Sequence, residues 1–174
     1  MSALINNQYD ESCASLNVSL VSQLLNLNEE QILKQTHFFS GRYENIYVDV
    51  KQFPELEHIL FKAKEYAAGI LDLPIDRLKI GCWLNIMYQN HTTSLHRHDD
   101  DDELLSGVYY LKVPEHSGHF IFHFADEQQT IEPVEGNFLF FSPTLNHEVT
   151  VHQSTEPRVS MGFNVGPLNA EEAS

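Results

Sequence analysis

The chain has 174 residues, 42% hydrophobic and 11% aromatic, which is enough apolar material for one domain to bury a core of its own. Ten lysines and arginines stand against 25 aspartates and glutamates, a formal net charge of −15. Binding to phosphate backbones or anionic lipid runs on clustered basic side chains, so this balance argues against nucleic acid and membrane surfaces as partners.

Two cysteines, Cys13 in a polar N-terminal stretch and Cys82 in an apolar run, form neither a disulfide framework nor a zinc-ribbon spacing, and a reducing compartment suits them. No stretch approaches the roughly 18 apolar residues of a membrane span, and the N-terminus lacks the basic-then-apolar pattern of a signal peptide. The expected location is cytoplasmic.

Along the chain, helical spacing comes first and strand patterning second. Asn28 with Gln31 resembles a capping box opening a short helix through Ile32 and Leu33. Tyr43 to Val50 reads as a strand. Pro54 suits the first position of a longer helix, in which Leu56, Ile59, Leu60, Ala63, Ala67, Ile70 and Leu71 fall on one stripe that can pack on a sheet. From residue 79 the pattern predicts six short strands: Lys79–Tyr88, Ser106–Val113, Gly118–Phe124, Asn137–Phe141, His147–His152 and Arg158–Val165. Strands at this spacing with no helices between them predict an antiparallel sandwich or barrel. The expected organisation is a single domain over residues 1–174: a mostly helical support region 1–78, a β core 79–166 and a C-terminal tail 167–174.

Eight of the ten histidines lie between His91 and His152. In His96-Arg97-His98 the two imidazoles are two residues apart, so on an extended segment they share a face and can reach one metal ion. His147 follows the apolar run EGNFLFFSPTLN, which can deliver it to a barrel rim as a third ligand. His116, His119 and His123 alternate with phenylalanines, as the outer face of a strand does. His91 and His152 have no assigned role, and Asp99–Glu103 reads as a solvated acidic loop.

After Lys112 the remaining 62 residues hold a single basic residue, Arg158, at the head of the apolar strand RVSMGFNV. A lone cation on a core strand needs an anion, because an unpaired buried charge costs several kcal/mol. The anion is either a carboxylate of this chain or that of a ligand. In the second case Ser160, on the same face, completes the clamp.

Trp83-Leu84-Asn85, His96-Arg97-His98, SGVYYLKVP (Ser106 to Pro114), EGNFLFFSPTLNHEV (Glu135 to Val149) and RVSMGFN (Arg158 to Asn164), in this order and spacing, resemble the iron(II)- and 2-oxoglutarate-dependent oxygenases, especially the prolyl-hydroxylase-like branch and related bacterial and phage proteins. The resemblance covers about half the chain. It implies a mainly β protein with N-terminal helices: a double-stranded β-helix, the jelly-roll or cupin-like barrel, with helices packed on its major sheet. It implies Fe(II), 2-oxoglutarate as cosubstrate and O2, and hydroxylation of a small-molecule or peptide substrate with release of succinate and carbon dioxide. His96 and His147 match the metal histidines, Arg158 and Ser160 the cosubstrate clamp, and Tyr109 or Tyr110 the cosubstrate tyrosine. Tyr88 and Asn85 are further wall candidates.

Most of the superfamily has His-x-Asp where this chain has His98. Two ligand sets stay open: His96, His98 and His147, or His98, Asp100 and His147. A cupin using His96, His98, Glu103 and His147, or a metal-binding jelly roll without turnover, are the rival readings. The Pro143-Thr-Leu-Asn-His147 run lacks the glycine of the second cupin motif, and a cupin gives Arg158 no role. Oligomeric state is open, a homodimer included.

Overall fold

The computed structural model describes residues 5–98 and 102–168. Strand β1 (Ile5–Tyr9) leads into two short helices, α1 (Glu11–Ala14) and α2 (Asn17–Leu24). A hairpin of β2 (Ile32–Phe39) and β3 (Arg42–Val48) precedes the long helix α3 (Pro54–Leu71). The core strands follow: β4 (Leu78–Met87), β5 (Thr93–His96), β6 (Leu105–Lys112), β7 (Phe120–His123), β8 (Gln128–Ile131), β9 (Asn137–Phe141), β10 (Asn146–Val149) and β11 (Arg158–Pro167). They form two antiparallel sheets, one in the order β1-β9-β6-β11-β4-β3-β2 and one in the order β5-β10-β7-β8. The two antiparallel sheets are what the strand spacing predicts, and their arrangement is the jelly roll that the resemblance implies.

Period-two alternation on the major sheet separates two cores. Tyr109 and Leu111 of β6, Phe138 and Phe140 of β9, and Met161 and Phe163 of β11 face the helices. There they pack with Leu20 and Leu24 of α2 and with Leu56, Ile59, Ala63 and Ala67, the buried stripe of α3. Their neighbours Val108, Tyr110, Leu139 and Phe141 turn the other way, into the space between the sheets, and meet Phe120, Phe122 and Val149 of the minor sheet. The face of β11 that carries Arg158, Ser160 and Gly162 therefore points into the barrel.

Helix α3 begins with Pro54 at its first turn and stops at Asp72, which takes a left-handed conformation at φ 52°. The Asn28–Gln31 capping box forms with both reciprocal bonds, but it closes only a single 3-10 turn, and the expected helix through Ile32 and Leu33 is instead the start of β2. The reason lies downstream: Ser40 and Gly41 both adopt positive φ (50° and 83°) in a two-residue loop between Phe39 and Arg42, so the chain must enter that loop as a strand. The N-terminal region thus contributes β1, β2 and β3 to the major sheet as well as helices. Strands β5 and β8, four residues each, fall outside the six predicted strands. Cys13, expected in a polar stretch, is fully buried under α3.

Candidate metal centre

His96 ends β5 and His147 is the second residue of β10, and the two are register partners across the minor sheet. His98 lies just beyond β5, where its backbone N–H donates to the Pro143 carbonyl at 2.9 Å and ties this segment to the loop before β10. Pairing and tie together bring one ring nitrogen from each of His96, His98 and His147 within 4.8 Å of one another. Among the described residues this is the only such cluster of three potential metal donors.

The rings are held in a definite state. Nδ1 of His96 lies 2.6 Å from the Ser94 carbonyl, and Nδ1 of His147 lies 2.9 Å from the Leu145 carbonyl. A carbonyl can only accept, so both Nδ1 atoms carry the proton, which makes Nε2 the metal-binding nitrogen of each ring in its neutral form. His147 stacks on Phe120 at 5.0 Å, with Phe141 at its edge, and His98 rests against Trp83. Burial and then the neighbouring His96 pull the His147 pKa down to about 3 and that of His98 down to about 4. Both imidazoles are neutral near pH 7, the form a metal ion requires.

Beyond the histidines a cavity between the sheets is lined by Met87, Phe120, Phe141, Val149, Arg158 and Ser160, among others. Arg158 is 1% exposed. Its Nη1 donates to the Gly118 carbonyl, its guanidinium lies 5.3 Å from the Tyr110 ring centroid, and its Nε has no partner. Among the described residues no carboxylate pairs with it. Burial depresses the pKa of Arg158. The hydroxyl of Tyr110, buried and equally unpartnered, is pushed up to about 12 by burial and is a neutral donor. The described residues supply Arg158 with no anion, so of the two sources considered from the sequence a ligand carboxylate is the one this cavity has room for.

The other predicted residues separate. Ser160 lines the same cavity as Arg158. Asn85 lines its mouth, accepting from Arg42 Nη1 at 3.1 Å. Tyr109 faces the helices and donates to Asn17 Oδ1, so it does not reach the cavity. Tyr88 is 50% exposed and packs on His91, away from the cavity wall. Asp100 lies outside the described residues. Glu103 accepts from Asn164 at 3.4 Å and is not part of the histidine trio. His91 and His152 join two loops through a backbone bond, and His123 pairs with Glu148. The sequence reading missed Arg42 and Glu44, whose buried side chains lie against Asn85 and β5. Their only signal was an i, i+2 spacing of opposite charges on one strand face.

A second, outer cleft shares Trp83, Asn85, Thr93, His96 and His98 with the inner cavity and adds Glu44, Asn45, Tyr47, Glu103 and Asn164. Two chambers thus meet at the histidines, the inner one ending on a buried cation and the outer one opening through polar side chains. No helix among the described residues is long and apolar enough to cross a membrane.

No curated protein matches the chain by sequence. Among solved structures, a prolyl-4-hydroxylase from Pseudomonas putida superposes with a TM-score of 0.70 at 18% identity, covering 95% of this chain and 88% of the other. HygX from Streptomyces hygroscopicus, solved with nickel and 2-oxoglutarate bound, gives 0.70 at 12% identity with coverages of 95% and 84%. A Trichoplax adhaerens prolyl hydroxylase in complex with a hypoxia inducible factor peptide gives 0.65 at 14% identity with coverages of 94% and 83%. These likenesses establish a common fold. The family model of the 2OG-Fe(II) oxygenase superfamily matches residues 82–166, the segment that contains all three histidines and Arg158. That segment belongs to the 2OG-Fe(II) oxygenase superfamily.

Proposed function

We propose that the protein is an iron(II)- and 2-oxoglutarate-dependent dioxygenase that hydroxylates a C–H bond of a small-molecule or peptidyl substrate. The observation that carries this reading is the pairing of three convergent imidazoles with a buried arginine that has no carboxylate partner among the described residues, on two walls of one cavity. The donor set fits the group the family implies: three nitrogen ligands on one side leave positions open for a bidentate 2-oxoacid and for oxygen. Iron, when bound, supplies the chemistry by which O2 and 2-oxoglutarate react so that one oxygen atom enters the substrate C–H bond, the other enters succinate, and carbon dioxide leaves.

The chain's own residues do the rest. His96 and His147 present Nε2 because their Nδ1 protons are engaged, and His98 completes the face. Arg158 takes the distal carboxylate of 2-oxoglutarate, with the hydroxyls of Ser160 and Tyr110 beside it to donate further hydrogen bonds. Met87, Phe120, Phe141 and Val149 keep water from the inner chamber, which strengthens that ion pair and keeps the oxidising chemistry from running without substrate. The substrate enters by the outer cleft, whose glutamates, asparagines and tyrosine favour a polar, hydrogen-bonding group. The two free cysteines fit the cytoplasmic setting suggested by the sequence.

The test supplies iron(II), O2 and 2-oxoglutarate and screens metabolite and peptide pools for a 16 Da gain matched by succinate. Activity is expected from the wild type and not from His147→Ala. Metal titrations of His98→Ala and Asp100→Ala choose the third ligand: loss of metal in the first variant alone supports the three-histidine face. Wild-type protein that neither binds manganese nor releases succinate overturns the proposal.

A further inference from the structure

Strand β5 is four residues long and stands at the end of the minor sheet. Among the described residues its one partner strand is β10, and that pairing is irregular, with the register shifting between the His147–His96 and Val149–Thr93 pairs. Such a strand leaves a row of backbone groups without a ladder on its far side, and Thr93 there is buried from water. Two side chains of β3 meet those groups. Arg42 Nη2 donates to the Thr92 carbonyl at 2.9 Å, and Glu44 Oε1 accepts the Ser94 N–H at 3.0 Å. One donor and one acceptor, two residues apart on one face of β3, reproduce what a neighbouring strand would offer.

The contacts go further than the backbone. Glu44 Oε2 accepts the Ser94 hydroxyl at 3.0 Å, so Ser94 is held at two points by one carboxylate. The carbonyl of that same Ser94 accepts the Nδ1 proton of His96. Arg42 also donates to Asn85 Oδ1, and Asn85 Nδ2 lies 3.4 Å from Thr93 Oγ1, so the wall shared by the two chambers hangs on the same guanidinium. The pair itself is separated by 3.7 Å, with both side chains less than a tenth exposed. A buried ion pair of this kind adds little stability over an apolar pair of similar volume, and its best-attested use is to fix a geometry. His147 has no such device: its Nδ1 is held by the Leu145 carbonyl within its own turn.

We propose that Arg42 and Glu44 are positioning residues for the metal centre, standing in for the strand that β5 lacks and thereby fixing the tautomer and orientation of the His96 imidazole through Ser94. The proposal rests on the reading of His96 as a metal ligand, and its first test needs no metal. Nitrogen-15 spectra of the imidazoles in metal-free wild-type protein should show the Nδ1-protonated tautomer for both His96 and His147. In Glu44→Met, which removes both acceptors at similar volume, His96 should become a mixture of tautomers while His147 stays as it is. Cobalt(II) should then bind about 10- to 100-fold more weakly, the range seen when groups that orient metal ligands are lost. Ser94→Ala removes only the hydroxyl contact and should shift both readouts the same way by less, and Ser94→Thr, which keeps the hydroxyl, should restore them.

An unchanged His96 tautomer and unchanged cobalt affinity in Glu44→Met, with only a lower melting temperature, would show a merely structural pair and overturn the proposal. Should Glu44→Met fail to fold, Ser94→Ala decides on the same two readouts. Wild-type protein that selects the His96 tautomer but binds no cobalt overturns the metal reading instead, and with it the purpose assigned to the pair.

Discussion

Replacing Arg158 with leucine separates a ligand-binding arginine from a structural one. In the protein as it stands the guanidinium is almost completely buried, donates one hydrogen bond to the Gly118 carbonyl, and has neither a carboxylate partner among the described residues nor a partner for Nε. If its anion is the distal carboxylate of 2-oxoglutarate, leucine removes a charge-assisted contact and leaves that carboxylate buried and unpaired. The loss is about 2 to 5 kcal/mol, or roughly 30-fold to several-thousand-fold in dissociation constant. The effect on the empty protein has the opposite tendency. Leucine removes a desolvated cation, which is favourable, and leaves the Gly118 carbonyl without its donor, which costs about 1 kcal/mol, so the melting temperature should hold or rise. The measurement is calorimetric titration of 2-oxoglutarate into manganese-loaded protein without oxygen, wild type against Arg158→Leu, with melting curves for both. A variant that melts well below wild type yet keeps its 2-oxoglutarate affinity within about three-fold would refute the reasoning, because that is the pattern of a structural ion pair.

Three further outcomes follow from the same geometry. Folded, metal-free protein keeps His98 and His147 neutral down to pH of about 4 and 3, whereas the unfolded chain protonates them near 6.5. The unfolded state therefore binds up to two more protons between these limits, and chemical denaturation should show stability falling as pH drops from about 6 to 4, by up to about 2.7 kcal/mol per pH unit from this pair. A flat profile in that window would contradict the burial of these rings. In Gly162→Ala the new methyl group would lie 2.5 Å from the Trp83 indole, which borders both chambers, so circular dichroism of the indole should change and stability should fall by about 1 to 3 kcal/mol. Burial pushes the thiols of Cys13 and Cys82 up to about 12, so neither should react with iodoacetamide at pH 8 until denaturant is added.

The parts of the site that were legible in the sequence are those fixed by short spacing. His96 and His98 are two residues apart, His147 follows a turn and an apolar strand, and Arg158 is the only cation in its part of the chain. Each reading needed only the period of a strand and the cost of an unpaired charge. Tyr109 and Tyr110 could not be ranked, because β6 is buried on both faces and its alternation separates one core from another instead of core from solvent. Strands β5 and β8 are short and polar, so their identity comes from the strands that flank them. The capping box at Asn28 is real, but the Ser40–Gly41 loop twelve residues later overrides its suggestion of a longer helix. Arg42 and Glu44 were missed because an i, i+2 pair of opposite charges in an acidic chain does not by itself say that it is buried, and only the fold brings the pair against β5.

The charges around the inner chamber make metal and cosubstrate binding interdependent. Histidines that ligate a metal are neutral, and no carboxylate stands among the three, so a divalent metal brings the chamber's charge to +3 when Arg158 is counted, and dianionic 2-oxoglutarate returns it to +1. Metal alone leaves +3 in a poorly solvated space, 2-oxoglutarate alone leaves −1, and the two partners attract each other because their charges are opposite, so each should bind more tightly when the other is present. Linkage requires the two enhancements to be equal, and couplings of this kind typically amount to about 5- to 150-fold. Manganese titrations at zero and saturating 2-oxoglutarate, and the reverse pair of titrations, should return the same factor. Arg158→Leu gives this account a sign that can be checked: with no cosubstrate present it removes a like charge from the chamber and should leave manganese affinity equal to or higher than that of the wild type, even as it weakens 2-oxoglutarate. A manganese affinity indifferent to saturating 2-oxoglutarate, or one that collapses in Arg158→Leu alone, would mean that the arginine and the histidines do not face one shared chamber.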